Sequence, residues 1–226
     1  MSATLVLVHG AWHGSWCWEP LLDALGDVQV ETVDLPSVGD DPAELGDLYA
    51  DAAAVRSALS RVEGPTVVLG HSYGGAVITE AVTADSGVTH LIYLSALLLD
   101  EEESVLGAVG GAPPPWWDIR GDHVLPKTPA DVFYNDVSPE MTARSVPRIR
   151  PQALAAFEQP LRNAAWKAVP STYVICEQDQ AIPPFAQEAM AQRANAVLRM
   201  DTGHSPFLSK PQELAGLLRP ILDRAG

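Results

Sequence analysis

Basic residues are scarce in this chain. Its 226 residues include 14 lysines and arginines against 29 aspartates and glutamates, for a formal net charge of −15. Such a surface repels nucleic acid, anionic membranes and polyphosphate substrates. No G-x-x-x-x-G-K-[ST] loop is present to offset that repulsion. Cysteine is nearly absent, with only Cys17 and Cys176. That excludes a disulfide framework. Cys176 ends an apolar run and reads as an inert core thiol. His13, His90 and His123 have no metal-type spacing with a cysteine or a second histidine, so no metal site is expected. No apolar run approaches the roughly 20 residues of a membrane span. The first apolar run, Thr4-Leu5-Val6-Leu7-Val8, is too short and lacks the basic flank of a secretory leader. A cytoplasmic, reducing setting is therefore expected. Internal repeats and low-complexity linkers are also missing.

Apolar residues are plentiful, at 47%, which supports a packed core over disorder. A chain of this length suits one compact domain. Apolar β-type runs near 4–8, 28–33, 66–70, 89–94, 171–176 and 196–200 alternate with helical patterns near 16–25, 46–62, 74–84, 185–194 and 211–224. That alternation implies a six-stranded, mostly parallel α/β sheet with helices on both faces. The exception is 97–167, too long for a loop. It holds Asp100-Glu101-Glu102-Glu103, Pro113-Pro114-Pro115-Trp116-Trp117 and short helical pieces near 151–158. We read it as a helical lid inserted between core segments 1–96 and 168–226. The acidic run reads as a solvated turn or helix start.

The most informative motif is Gly70-His71-Ser72-Tyr73-Gly74, a G-x-S-x-G pentapeptide. It follows the run Thr66-Val67-Val68-Leu69 and precedes the helical pattern from Gly75. A serine on a sharp strand-to-helix turn lifts its hydroxyl clear of the sheet, and the crowding demands small neighbours. A serine nucleophile needs a base, and the base needs an orienting acid. Asp179 lies just past the run Ser171–Cys176, and His204 just past Ala196–Met200. Loops beyond strand C-termini are where an α/β sheet carries site residues. Taken singly, Asp179 is also an ordinary turn residue and His204 a loop cap. Glu177 is the rival acid. His71 is expected to be packed and structural, because the neighbour of an elbow serine points elsewhere.

The segments Leu5–Trp18, Gly70–Gly75, Glu177–Asp179 and Gly203–Phe207 together resemble the α/β-hydrolase superfamily. Within it they are similar to the small branch of plant methylesterases, salicylate-binding esterases, hydroxynitrile lyases and their bacterial esterase-like relatives. The order Ser72, Asp179, His204 is that fold's triad order. The resemblance implies an oxyanion hole made by the N–H groups of Ala11 and Tyr73, and a lid that roofs the substrate. Gly10 would let the backbone approach substrate, and Trp12, Trp116 and Trp117 would form apolar walls. In the lyases that this chain resembles, a lysine follows the catalytic histidine and a threonine lies in the first loop. Here Ser205 and Gly10 stand there, which counts against cyanohydrin cleavage. The expectation is a cofactor-free serine esterase acting on small uncharged esters, monomeric or homodimeric. A lyase and a ligand-binding receptor on the same scaffold are the alternatives.

Overall fold

The structure is a computed structural model and describes residues 3–226. Six strands form one sheet: β1 (Thr4–Val8), β2 (Val30–Val33), β3 (Thr66–His71), β4 (Val88–Leu94), β8 (Ser171–Cys176) and β9 (Ala196–Met200). They lie in the order β2-β1-β3-β4-β8-β9, every pair parallel. All six residues of β3 and all six of β8 are buried. Successive side chains of a strand face opposite sides, so both faces of the sheet are covered at its centre. That explains why these strands read as unbroken apolar runs. The edge strand β9 is exposed along four of its five residues.

The helices between core strands are α1 (Glu19–Leu25), α2 (Leu48–Leu59), α3 (Gly74–Ala81) and α8 (Pro184–Ala191), and α9 (Pro206–Ser209) and α10 (Pro211–Ala225) follow the last strand. Helix α1 packs against α10, and α2 against α3. In α10 the buried residues Leu214, Ala215, Leu218, Ile221 and Leu222 recur on one face. Asp47 starts α2 later than the pattern from 46 suggests, because its side chain accepts the Ala50 N–H at 2.9 Å. Proline at the first turn of α1 splits the expected 16–25 helix into a 3-10 turn at Ser15–Trp18 and α1 proper.

Chain 97–167 holds more than short helices. Alongside α4 (Val105–Ala108), α5 (Pro129–Phe133), α6 (Pro139–Ser145) and α7 (Ala155–Glu158) lies an antiparallel sheet of β5 (Trp117–Arg120), β6 (His123–Pro126) and β7 (Gln152–Ala153). The helical reading of this segment lacks that sheet. Its signal is short: two four-residue runs around Gly121-Asp122, with Gly121 at φ +69° making the reversal. The acidic run is also anchored rather than merely solvated. Asp100 pairs with Lys167, and Glu103 accepts two guanidinium bonds from Arg193 at 2.6 and 2.7 Å.

The register sets the site. Val8 of β1 pairs with Gly70 of β3, so the two strands end level. The chain leaves β1 for β2 on one side and returns to β3 on the other. Ligands of open α/β sheets bind outside the strand C-termini at such a reversal.

Candidate active site

Ser72 sits between β3 and α3 with φ +53°, in the left-handed region that a non-glycine residue rarely adopts. A conformation of this kind costs of order 1–3 kcal/mol and persists only when its surroundings impose it. Here the Ser72 N–H donates to Leu94 O at 3.2 Å, and Ser72 O accepts from Gly75 and Leu97 N–H groups at 3.0 Å each. The turn is also crowded. A Cβ on Gly74 would lie 2.6 Å from the carbonyl oxygens of Val8 and His9. A Cβ on Gly10 would lie 2.9 Å from Ser72 Cβ and 2.8 Å from His71 Nδ1. The first loop can abut the elbow only as glycine.

Asp179 and His204 meet although they lie on different loops. His204 Nδ1 is 2.8 Å from Asp179 Oδ2, and both side chains are buried. The same Oδ2 accepts from Gln187 Nε2 at 3.0 Å, and Oδ1 accepts the N–H groups of Ala181 and Ile182 at 2.7 and 3.0 Å. Asp179 is thus both a turn residue and the partner of His204. With Nδ1 on the carboxylate, the proton sits there and Nε2 is left as the acceptor. Among the described residues no hydrogen bond reaches Nε2. Gln187, on α8, is fully buried and also bonds Cys176 and Ile182 backbone groups, so it fixes the acid's loop. Nothing in the local sequence marks it. The rival Glu177 is exposed and faces Arg199.

The histidines beside the site are structural. His71 is buried, its Nε2 sits 2.8 Å from His204 O, and its ring lies 4.6 Å from the His204 ring. Burial, then the neighbouring His204, holds its pKa well below the ordinary value. His9 bridges Gly10 O and the Leu35 N–H. His13 bonds Ala11 O through Nδ1 at 2.7 Å and meets Tyr134 Oη through Nε2 at 2.8 Å. Burial pushes the His13 pKa down to about 3, against the pull of the Ala11 carbonyl. A neutral His13 therefore ties the first loop to the segment above the sheet.

The backbone donors divide sharply. The Trp12 N–H is taken by Gln152 Oε1 at 3.0 Å, and the Ser72 N–H by Leu94 O. The N–H groups of Ala11 and Tyr73 have no acceptor among the described residues. Tyr73 immediately precedes α3, where the helix dipole adds positive potential.

A cavity of about 50 Å³ lies above Ser72. Ala11, Trp12, Ser72, Tyr73, Trp116 and Trp117 line it, with Phe133 and Phe157. Trp12 is the hub: its ring lies 5.6 Å from Trp116, 5.8 Å from Trp117, 5.6 Å from Phe133 and 5.4 Å from Phe157. Phe133 in turn lies 5.7 Å from the His204 ring. Gly10 does not line the cavity; it stands behind Ala11 against the elbow, which departs from the substrate-side position expected for it. The cavity shares Leu97, Val109, Pro114, Trp116, Ala181 and Ile182 with a groove of about 970 Å³ that runs between 97–116 and α8. No cationic side chain lines the small cavity. Among the described residues no group of three or more His, Cys, Asp or Glu side chains is arranged to hold a metal ion. No helix among them is long and apolar enough to cross a membrane.

Comparison with known proteins identifies the family. The model of the alpha/beta hydrolase family matches residues 5–217. An alpha/beta hydrolase of Aspergillus novofumigatus is 29% identical over 97% of this chain and 96% of its own length. A carbendazim hydrolyzing esterase of a Nocardioides species is 29% identical over 97% of this chain and 99% of its own. The crystal structure of a methylesterase from Arabidopsis superposes with a TM-score of 0.80 at 27% identity, covering 98% of this chain and 99% of that one. The chain belongs to the alpha/beta hydrolase family and is similar to the plant methylesterases.

Proposed function

We propose that this chain is a carboxylic ester hydrolase that works through an acyl-enzyme on Ser72. The observation that carries the reading is a strained serine and two unused backbone donors on one apolar cavity, with a histidine buried against a carboxylate behind Phe133 of the cavity wall. Relatives named as esterases and methylesterases support the reaction class.

In this reading His204 Nε2 takes the Ser72 Oγ proton as Oγ bonds the ester carbonyl carbon. The carbonyl oxygen becomes an oxyanion between the Ala11 and Tyr73 N–H groups, placed where charge develops. His204 returns the proton to the departing alkoxide oxygen. Water then repeats the sequence on the acyl-enzyme and frees the acid and Ser72. Asp179 holds the Nδ1–H tautomer and stabilises the imidazolium. The 97–167 segment serves as the lid, with Trp116 and Trp117 as aromatic walls beside Trp12. The walls and the net charge of −15 favour uncharged esters with an aryl or short acyl group. The lack of a cation in the cavity leaves a departing cyanide without a partner. Both thiols are free and buried, which suits a reducing, cytoplasmic setting.

The test is a panel of p-nitrophenyl acetate, aryl methyl esters and mandelonitrile on one preparation. The expected result is ester turnover that disappears in Ser72→Ala and negligible mandelonitrile cleavage. Mandelonitrile cleavage dependent on Ser72, without ester turnover, would overturn the reading.

A further inference from the structure

Asp51 is a buried carboxylate without a counter-ion. It lies on α2, is fully shielded from solvent, and among the described residues no cationic side chain pairs with it. Burying a lone carboxylate is costly unless hydrogen bonds compensate. Three donors do so. Tyr73 Oη donates to Oδ2 at 2.6 Å, Ser37 Oγ to Oδ2 at 2.6 Å, and the Ser37 N–H to Oδ1 at 2.8 Å. The chain of bonds continues outward. Gln152 Nε2 donates to Ser37 Oγ at 3.0 Å, and Gln152 Oε1 accepts the Trp12 N–H at 3.0 Å. Ser37 and Gln152 are buried as well.

The two ends of this chain are the two arms of the oxyanion hole. Tyr73 carries one donor on its own backbone. Trp12 directly follows the other, Ala11. Trp12 has φ +62°, a conformation that tryptophan does not adopt unaided. Its N–H is held by Gln152, its O by the Arg150 N–H at 3.0 Å, and its indole N–H by Val124 O at 2.8 Å. Gln152 thereby removes the Trp12 N–H as a competing donor and leaves the Ala11 N–H as the donor without an acceptor beside the cavity that Ala11 lines.

We propose that Asp51 is a positioning residue for the oxyanion hole, holding Tyr73 directly and Trp12 through Ser37 and Gln152, so that one buried carboxylate sets the spacing of the two donors. The proposal rests on the serine-esterase reading above. The ionised form is the one the network requires. Two hydroxyls point at Oδ2, and a proton on that oxygen would turn one of them away. Burial pushes the Asp51 pKa up to about 6, while bonds from Ser37 and Tyr73 hold it down. The titratable groups that bear on it are Tyr73 at the elbow and Asp47 one turn back on α2.

The test compares wild type with Asp51→Asn, Tyr73→Phe and Ser37→Ala on an uncharged aryl ester. We expect Asp51→Asn to lower kcat roughly ten- to hundredfold with KM changed by less than about threefold, below the roughly hundred- to thousandfold of an oxyanion donor removed outright. Inhibition by an aryl trifluoromethyl ketone, which forms a tetrahedral oxyanion, should weaken by the same factor as kcat/KM. Inhibition by the aryl acid product should not change. One ionisation should vanish from the acid limb of the pH profile of kcat. Tyr73→Phe cuts one arm and should give a smaller loss, non-additive with Asp51→Asn. A merely structural Asp51 would lower stability without separating the ketone from the acid. If Asp51→Asn does not fold, Tyr73→Phe and Ser37→Ala carry the same comparison. Unchanged kcat and ketone binding in these variants, with Ser72→Ala inactive, would overturn the positioning role alone. An active Ser72→Ala would instead sink the esterase reading beneath it.

Discussion

The strand-end loops and the segment arched over them contribute in opposite ways. Ser72, Asp179 and His204 each lie within four residues of a strand end, and parallel register carries all three to one edge. None of the three lies in the 97–167 segment. It contacts the loops around them: Gln152 and Val124 bond Trp12, Tyr134 meets His13, and Phe133 lies against His204. The three candidates are each marked by a nearby strand, whereas these contacts are long-range in sequence. Substitutions in the first region should therefore strike kcat almost completely. Those in the second should give graded losses in orientation or binding.

The largest expected effect tests the first half of that contrast. Ser72→Ala or His204→Ala alone should lower kcat by on the order of 10⁴-fold or more, and the double variant should add little. Asp179→Asn should fold normally and be slow, with Glu177→Gln close to wild type. A defect in Glu177→Gln in place of Asp179→Asn would move the acid to the other residue.

Acid stability probes the tie between the regions. Folded His13 has its pKa pushed down to about 3 from an ordinary 6.5. Between those values the unfolded chain binds a proton that the folded chain does not. Stability is thus lost as pH falls from 6.5 toward 3, by on the order of 5 kcal/mol from this group at the lower end. Burial shifts His9 and His71 the same way. Asp51 acts in the opposite sense. Its folded pKa is raised, so its contribution favours the folded state at low pH and is lost as pH rises through about 6. Urea unfolding at pH 7 and pH 4.5 should show a clear net fall. Equal stability at the two values would mean that the buried histidines are not held neutral.

Gln187→Ala should lower kcat roughly ten- to hundredfold with a small change in KM, because Asp179 keeps its turn bonds but loses the bond that locks Oδ2. An undiminished kcat would show that the turn alone orients the acid. Smallest is the wall. Trp116→Ala or Trp117→Ala should raise KM for aryl esters by about two- to tenfold more than for alkyl acetates, the scale of one aromatic contact. An equal change for both ester types would place the aryl group elsewhere, in the groove beside α8.

This contrast also marks what the sequence makes legible. The central strands β3 and β8 can be read because burial on both faces produces unbroken apolar runs, and the triad candidates because each follows a strand within four residues. The β5–β6 hairpin escapes such reading, since each strand has four residues and little burial to imprint a pattern. Two-residue β7 is shorter than any periodicity. Gln187, Gln152, Tyr134 and Asp51 have no local signature. Tyr134 meets its histidine across 121 positions and Gln152 meets Trp12 across 140, so only the folded register brings them together. Gly10 shows a subtler limit. Its need for a missing side chain is legible, but the neighbours that impose the need, His71 and Ser72, appear only in three dimensions.

We propose that Ser72 is a nucleophile activated by His204 beside an oxyanion hole. The most direct test is reaction with an uncharged p-nitrophenyl alkylphosphonate, followed by mass spectrometry of the digested protein. The account predicts one equivalent of p-nitrophenol released per chain and a single phosphonyl adduct on the peptide that contains Ser72. Ester turnover should be lost in step with the adduct, and labelling should be strongly slowed in His204→Ala. Ester turnover that survives full labelling, or an adduct on any residue other than Ser72, would contradict it.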